Sequence, residues 1–399
     1  MMEVQSGGSR LASRRLLVAI WVMAAIVGIA LFEWDMTPAS GRHNAGGQGA
    51  GPGPARYLVV REWRRNTDYQ FVPSAARKRY PDGGLQESYR LATDKEGFIE
   101  PARRHTQPDL SVVFLGGSTT ECMYVAPENR FAHLAATKLE QSLGLKVNGL
   151  NAALSGNNSM HSLLLLLGKV VPLRPDFVVL MHGVNDIAAL TSNGTYWIKE
   201  GSLRLIEQEK ISVGDAGKVL VKALIPYTTE QLQRGAKAAR GLFRVRPAQA
   251  QPSAPASTGA PGRRAEMRRD FESSLRSFVR VATAWGITPV LMTQVYVEPT
   301  AATERSDAFV DREQLAGGAP QPGNQPNLLD DFNAITREVA RTEAVPLIDL
   351  ARARTWRFGD VYDGMHFTDA GSKQVAEIVA AALEEQIARQ RKVGAARTP

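Results

Sequence analysis

Four short loops carry the residue types that could do chemistry together. They read Gly116-Gly117-Ser118-Thr119-Thr120-Glu121, Leu154-Ser155-Gly156-Asn157-Asn158-Ser159, Gly183-Val184-Asn185-Asp186 and Asp363-Gly364-Met365-His366-Phe367-Thr368. A serine hydroxyl is a poor nucleophile until a base takes its proton. Histidine suits that task because its pKa lies near working pH. Asp363 stands three residues before His366. In a turn, that spacing lets the carboxylate accept a bond from one ring nitrogen and fix the tautomer of the other. Ser118, His366 and Asp363 are therefore the candidate nucleophile, base and orienting acid. Plainer roles compete: Ser118 as a helix cap, Gly156 as a turn glycine, Asn185 as an Asx-turn residue. His182, beside Gly183, is expected to support the structure, Asp186 to orient the asparagine loop, and Cys122 to be a buried small apolar residue.

These loops need a frame to bring them together, and the flanking sequence supplies one. SVVFLGG (111–117), LKVNGLNAA (145–153), DFVVLMHG (176–183), TPVLMTQV (288–295) and VPLIDLA (345–351) are apolar runs of strand length. Helical patterns separate them at 129–143, 158–170 and 326–344. Phe271, Leu275, Phe278, Val279, Ala282 and Trp285 repeat at helical spacing, as do Val375, Ile378, Val379, Ala382, Leu383 and Ile387. Strands alternating with helices predict an α/β fold, a three-layer α/β/α doubly wound domain with a mostly parallel five-stranded sheet. All four loops fall at the carboxyl edge of that sheet, where sites of such folds assemble. An insertion at about 190–265, ending in a Pro/Ala/Ser loop, and a loop at 296–323 interrupt the alternation.

In their order the four loops resemble the conserved blocks of the GDSL/SGNH hydrolase superfamily, in its membrane-anchored bacterial envelope form. The first resembles the G-[DG]-S nucleophile loop, although Gly117 stands where the aspartate of the family's name would be. The second supplies its glycine, GVND (183–186) matches G-x-N-D, and DGMH (363–366) matches D-x-x-H. DKEGFIEP (94–101) looks like the segment ahead of the first block in envelope members. The resemblance spans roughly residues 95–385, apart from the insertion. It implies an oxyanion hole made of the Ser118 N–H, the Gly156 N–H and the Asn185 side chain. It also implies a serine esterase that cleaves O-acyl groups, acetyl on an envelope glycan in first place. An O-acyltransferase with the same triad, a lipase or lysophospholipase, and a non-catalytic envelope scaffold remain as alternatives.

Other chemistries find little support. The single cysteine, Cys122, allows neither an intrachain disulfide nor a cysteine metal site. Histidines 43, 105, 133, 161, 182 and 366 show no HExxH spacing, so no metal or cofactor is expected. The 399-residue chain carries a net charge of +8. Residues 201–270 hold 13 Lys and Arg against 6 Asp and Glu, so the excess sits in the insertion, without a nucleic-acid motif. It fits a solvated surface, or attraction to an anionic membrane or acidic glycan.

The amino-terminal region reads as an anchor. Leu16 to Phe32 form 17 consecutive uncharged residues, preceded by Arg10, Arg14 and Arg15 and followed by Glu33 and Asp35. That length and charge asymmetry predict an uncleaved transmembrane helix with everything after it outside the cytoplasm, on the periplasmic side. The predicted organisation is a cytoplasmic N-terminus (1–15), the membrane anchor (16–32), a flexible Gly/Pro/Ala linker (33–55) and a hydrolase domain (56–392). Partners implied are an ester substrate and the membrane, with no nucleic acid.

Overall fold

The structure is a computed structural model that describes residues 56–74, 85–199, 201–208, 261–297 and 328–395. The chain divides into two units, residues 1–56 with 208–252, and residues 57–207 with 253–399. Nearly all of the first lies outside the described residues, so the second is the one described below. The expected anchor at 16–32, the linker, and most of both expected insertions also lie outside the described residues. Among those described, no helix is long and apolar enough to cross a membrane.

Nine strands are described in chain order: β1 (Arg56–Leu58), β2 (Asp68–Phe71), β3 (Tyr89–Ala92), β4 (Leu110–Gly116), β5 (Val147–Asn151), β6 (Phe177–Met181), β7 (Ile206–Gln208), β8 (Thr288–Met292) and β9 (Leu347–Ile348). The helices are α1 (Ser118–Glu121), α2 (Phe131–Leu143), α3 (Ser159–Leu165), α4 (Val184–Asn193), α5 (Pro261–Ala284), α6 (Leu328–Thr342), α7 (Leu350–Ala353) and α8 (Asp369–Ala395). The five strands expected from the apolar runs form one parallel sheet in the order β5-β4-β6-β8-β9.

Alternation along each strand separates two cores. Val113 and Leu115 of β4, with Val178 and Leu180 of β6, face a core shared with Phe271, Leu275 and Phe278 of α5 and Phe332 and Val339 of α6. Val112 and Phe114, with Phe177 and Val179, face a second core shared with Phe131 and Leu139 of α2 and Val375, Val379 and Leu383 of α8. A strand buried on both faces reads as a continuous apolar run because neither face meets water. The result is the expected three-layer α/β/α sandwich.

In this strand order the chain runs from β4 outward to β5, then crosses to β6 on the other side. That reversal opens a crevice past the carboxyl ends of β4 and β6. Gly116 and Met181 stand opposite each other in the ladder, so the loops after these two strands leave the sheet at one level. Short elements invisible to periodicity surround this frame. β2 and β3 form an antiparallel pair, and β1 pairs with β7. Helix α5 starts at Pro261, ahead of the apolar repeat that marks it and within the stretch expected to be loop. Proline suits a first helical turn because its missing N–H would have no partner there.

Candidate active site

The nucleophile loop turns sharply out of β4. Gly117 is extended, and Ser118 opens the short helix α1. A β-carbon at Gly117 would lie 2.2 Å from Asn185 Nδ2 and 3.1 Å from the Asn157 carbonyl oxygen. Glycine is required here because the asparagine loops pack against the backbone beside Ser118. The block after β5 makes its own turn, with Gly156 at φ +81°, a region that costs a residue with a β-carbon about 1 kcal/mol or more. A β-carbon at Gly156 would also meet Leu203 Cδ2 at 2.8 Å. Asn158 then caps α3: its side chain accepts from the His161 N–H, while His161 Nδ1 accepts from the Asn158 N–H.

His366 arrives from the far end of the chain, in the loop before α8. Its Nε2 lies 2.7 Å from Ser118 Oγ. Its Nδ1 lies 2.8 Å from both carboxylate oxygens of Asp363, and its own N–H donates to Asp363 Oδ1 at 3.1 Å. A carboxylate can only accept, so Nδ1 carries the proton and Nε2 presents its lone pair to the serine hydroxyl. Asp363 is buried, whereas the His366 side chain keeps 15% of its surface open. Tyr362 stacks on the imidazole with ring centroids 5.5 Å apart, which fixes the ring plane. The sequence-predicted Ser118, His366 and Asp363 thus meet in one relay.

Of the remaining candidates, Asn185 packs against Gly117, next to Ser118, and Gly156 precedes Asn157, whose carbonyl does so too. Asn185 stands on the first turn of α4, and its Nδ2 donates to the Asn157 carbonyl at 2.8 Å, which leaves its second N–H free of that bond. Among the described residues, neither the Ser118 N–H nor the Gly156 N–H donates to a backbone carbonyl. Fixed N–H donors near a serine hydroxyl are what a developing carbonyl oxyanion needs.

A second serine–histidine–aspartate set lies deeper. Asp186 accepts from the Ser159 N–H at 3.0 Å, the Ser159 hydroxyl at 2.5 Å and the Tyr196 hydroxyl at 2.7 Å. His182 Nε2 bonds Ser162 Oγ at 2.7 Å, and its Nδ1 stays 3.7 Å from Asp186. Burial pushes the Asp186 carboxyl up to about 6 and the His182 imidazole down to about 3. Ser159 is fully buried and bonds the carboxylate instead of the imidazole. It cannot attack a substrate, and the cluster ties the start of α3 to α4 and, through Ser274, to α5.

Sequence reading missed three supporting side chains. Gln294, just past β8, donates to Thr119 Oγ1 at 3.1 Å and accepts from the Val184 N–H at 2.9 Å, joining the first and third loops. Glu121 is buried and accepts from Ser155. Arg61 lies well ahead of the first loop, and its Nη1 donates to Asn157 Oδ1 at 2.6 Å. Each depends on a contact between residues distant in sequence, which no spacing rule signals. Cys122 is buried as expected, and its thiol is pushed up to about 12 by burial. Among the described residues, no cluster of His, Cys, Asp and Glu could hold a metal ion.

A serine hydroxyl held by an imidazole at the switch point of a doubly wound sheet is the arrangement that a serine hydrolase requires. The chain belongs to the GDSL-like Lipase/Acylhydrolase family, which it matches over residues 114–374. It is an ester-hydrolysing serine hydrolase. Among solved structures it is similar to an acetylxylan esterase from Geobacillus stearothermophilus, at 14% identity over 70% of this chain and 94% of that one, with a TM-score of 0.39. A lipase/acylhydrolase from Enterococcus faecalis shows 16% identity over 69% of this chain and 96% of that one, TM-score 0.39. An alpha/beta hydrolase enzyme from the metagenome of Lake Arreo, Spain, shows 15% identity over 69% and 94%, TM-score 0.38. No curated protein matches the chain.

Proposed function

We propose that the protein is a membrane-anchored O-deacylase that removes short acyl groups, acetyl foremost, from glycans outside the cytoplasm. The observation that carries the catalytic part is the 2.7 Å approach of Ser118 Oγ to His366 Nε2, with Nδ1 held by Asp363. In the reaction, His366 Nε2 takes the Ser118 proton as Oγ bonds the ester carbonyl carbon. The carbonyl oxygen becomes an oxyanion held by the Ser118 N–H, the Gly156 N–H and Asn185 Nδ2. As that intermediate collapses, the imidazolium returns its proton to the departing alkoxide, leaving the acyl group on Ser118. Water then attacks the acyl-enzyme with His366 again as base, and the carboxylic acid leaves. Asp363 orients and stabilises the imidazolium without taking the proton.

Three features support the finer reading. The groups that the bonds and packing place around Ser118 include the His366 imidazole and the Asn185 amide beside Gly117, which suit a small polar ester better than a long chain needing a deep apolar pocket. The apolar stretch Leu16–Phe32, with arginines before it and acids after it, supports an anchor that leaves the hydrolase domain on the periplasmic side. The basic stretch 201–270 supports attraction to an anionic polymer.

The test is a chain-length series of p-nitrophenyl esters with the full-length protein, alongside an acetylated glycan. We expect kcat/KM to fall from two-carbon to eight-carbon acyl groups and free acetate to form from the glycan. A rise with chain length replaces this reading with a lipase. Acetyl transfer to an added acceptor glycan in place of free acetate makes the protein an acyltransferase.

A further inference from the structure

We propose that Arg61, from the segment ahead of the family-matched region, is a positioning residue for the oxyanion hole. The proposal rests on the esterase reading above for its catalytic consequence, but its structural part stands alone.

Both neighbours of Gly156 are held by this one guanidinium. Arg61 Nη1 donates to Asn157 Oδ1 at 2.6 Å and Nη2 to the Ser155 carbonyl at 3.3 Å, while the Arg61 carbonyl accepts from Asn157 Nδ2 at 3.1 Å. The Asn157 carbonyl in turn accepts from Asn185 Nδ2. Two of the three oxyanion donors, the Gly156 N–H and the Asn185 amide, are thus placed by a loop whose own position Arg61 sets. The loop needs such a hold because Gly156 sits in a left-handed turn, and a glycine peptide has the widest choice of alternatives. On its other side the loop is tied to the nucleophile helix by the Ser155 hydroxyl on Glu121.

The arginine is itself fixed. The preceding Val59 N–H donates to the Leu205 carbonyl at 3.0 Å. The following Glu62 pairs with Lys169 at 2.8 Å, and that lysine also donates to the Gly97 carbonyl at 3.0 Å and lies 4.4 Å over the Phe98 ring. Arg64 gives its carbonyl to Thr93 Oγ1 at 2.6 Å. Residues 59–64 therefore form a strap pinned on both sides of Arg61. Burial lowers the Arg61 pKa, with the Glu121 charge opposing, and the guanidinium remains a cation able to donate in two directions. Only arginine offers that planar fork. A lysine would keep the charge and a single contact.

The experiment compares full-length wild type, Arg61→Ala and Arg61→Lys by amide hydrogen exchange and by steady-state kinetics on p-nitrophenyl acetate. In Arg61→Ala we expect exchange across 154–158 to rise about tenfold while β4 and β6 keep their protection. We expect kcat to fall about 100-fold, as for a misplaced catalytic group, with KM nearly unchanged. Arg61→Lys should recover part of kcat, and added guanidinium ion should raise kcat of Arg61→Ala further. Unchanged exchange in the loop overturns the proposal. So does faster exchange spread through β4 and β6, because that is general loosening. A wild type that hydrolyses no ester sinks the esterase reading, and the exchange comparison still decides whether Arg61 holds the loop.

Discussion

Two serine–histidine–aspartate sets sit among the described residues, and only one of these two is arranged as a relay. In the first, the order of bonds is Ser118 to His366 to Asp363, with the histidine in the middle and partly open to solvent. In the second, the carboxylate of Asp186 takes the serine directly and the histidine turns to Ser162. The residue types are identical. What separates chemistry from architecture is the sequence of donors and acceptors, and whether water and substrate can reach the hydroxyl. A serine bonded to a buried carboxylate has its proton engaged, yet no base poised to shuttle it to a leaving group.

The sharpest way to break this comparison is to remove each serine. Ser118→Ala should lower kcat by about 10⁴-fold or more, as losing the nucleophile of a triad does, with the melting temperature unchanged. Ser159→Ala should retain kcat within several-fold, but should cost about 1–3 kcal/mol of stability because Asp186 and Ser274 lose buried partners. A fluorophosphonate probe should label wild type and Ser159→Ala but not Ser118→Ala. Labelling that follows Ser159 would invert the assignment.

Within the first set the roles are graded. His366→Ala should approach the Ser118→Ala loss, and Asp363→Asn should be roughly 10- to 100-fold milder in kcat. An asparagine keeps a polar partner for the ring, but no longer dictates which nitrogen carries the proton. Equal losses would mean that Asp363 does more than orient. Asn185→Ala comes next. Removing one oxyanion donor should cost about 10²- to 10³-fold in kcat with little change in KM. A loss seen in KM alone would place Asn185 in ground-state binding.

The legibility of the two sets in the sequence differs for the same reason. β4, β6 and β8 were readable because strands buried on both faces are apolar runs, and the glycines after β4 and β6 marked where two of the loops begin. β5, with Asn148 and Asn151 in it, was readable from its place in the strand–helix alternation. Ser118 and Asn185 were readable because they follow such glycines, Gly156 because it lies in the loop after β5, and Asp363 and His366 because of their three-residue spacing, well past β9. The second set was legible only as separate residues. Nothing in the spacing of Ser159, His182 and Asp186 says that the aspartate will choose the serine, since that choice follows from how α3 packs on α4 and α5. Arg61 and Gln294 escaped for a related reason: one comes from a segment without periodicity, the other is a polar position inside the run TPVLMTQV, just past β8. β9, of two residues, is shorter than the apolar run around it, because that run bends into α7 at Leu350.

The smallest effect concerns one buried carboxyl beside the first set and one within the second. Glu121 ends the short helix that Ser118 opens, and burial pushes its carboxyl from 4.5 up to about 6, against the pull of the Ser155 bonds. Asp186 is raised from 3.8 to about 6 by the same cause. In each case the folded state binds the proton more tightly than the unfolded chain. Their contributions to stability are therefore present in full below the unfolded pKa and are lost as pH rises through about 6. For Glu121 the shift corresponds to ~2 kcal/mol between pH 4 and pH 8. Glu121→Gln removes the ionisable group and keeps an amide oxygen for Ser155. It should flatten that part of the pH profile and raise the melting temperature at pH 8 by a few degrees, while matching wild type near pH 4. Asp186→Asn should give no such gain. Its carboxylate collects donors from the Ser159 N–H, the Ser159 hydroxyl and Tyr196, and an amide would turn an NH₂ group toward some of them. Thermal melts of both variants across pH 4 to 8 decide the matter. Parallel curves for the two variants would mean that the two carboxyls are interchangeable structural groups, and that the contrast between the sets ends at the serines.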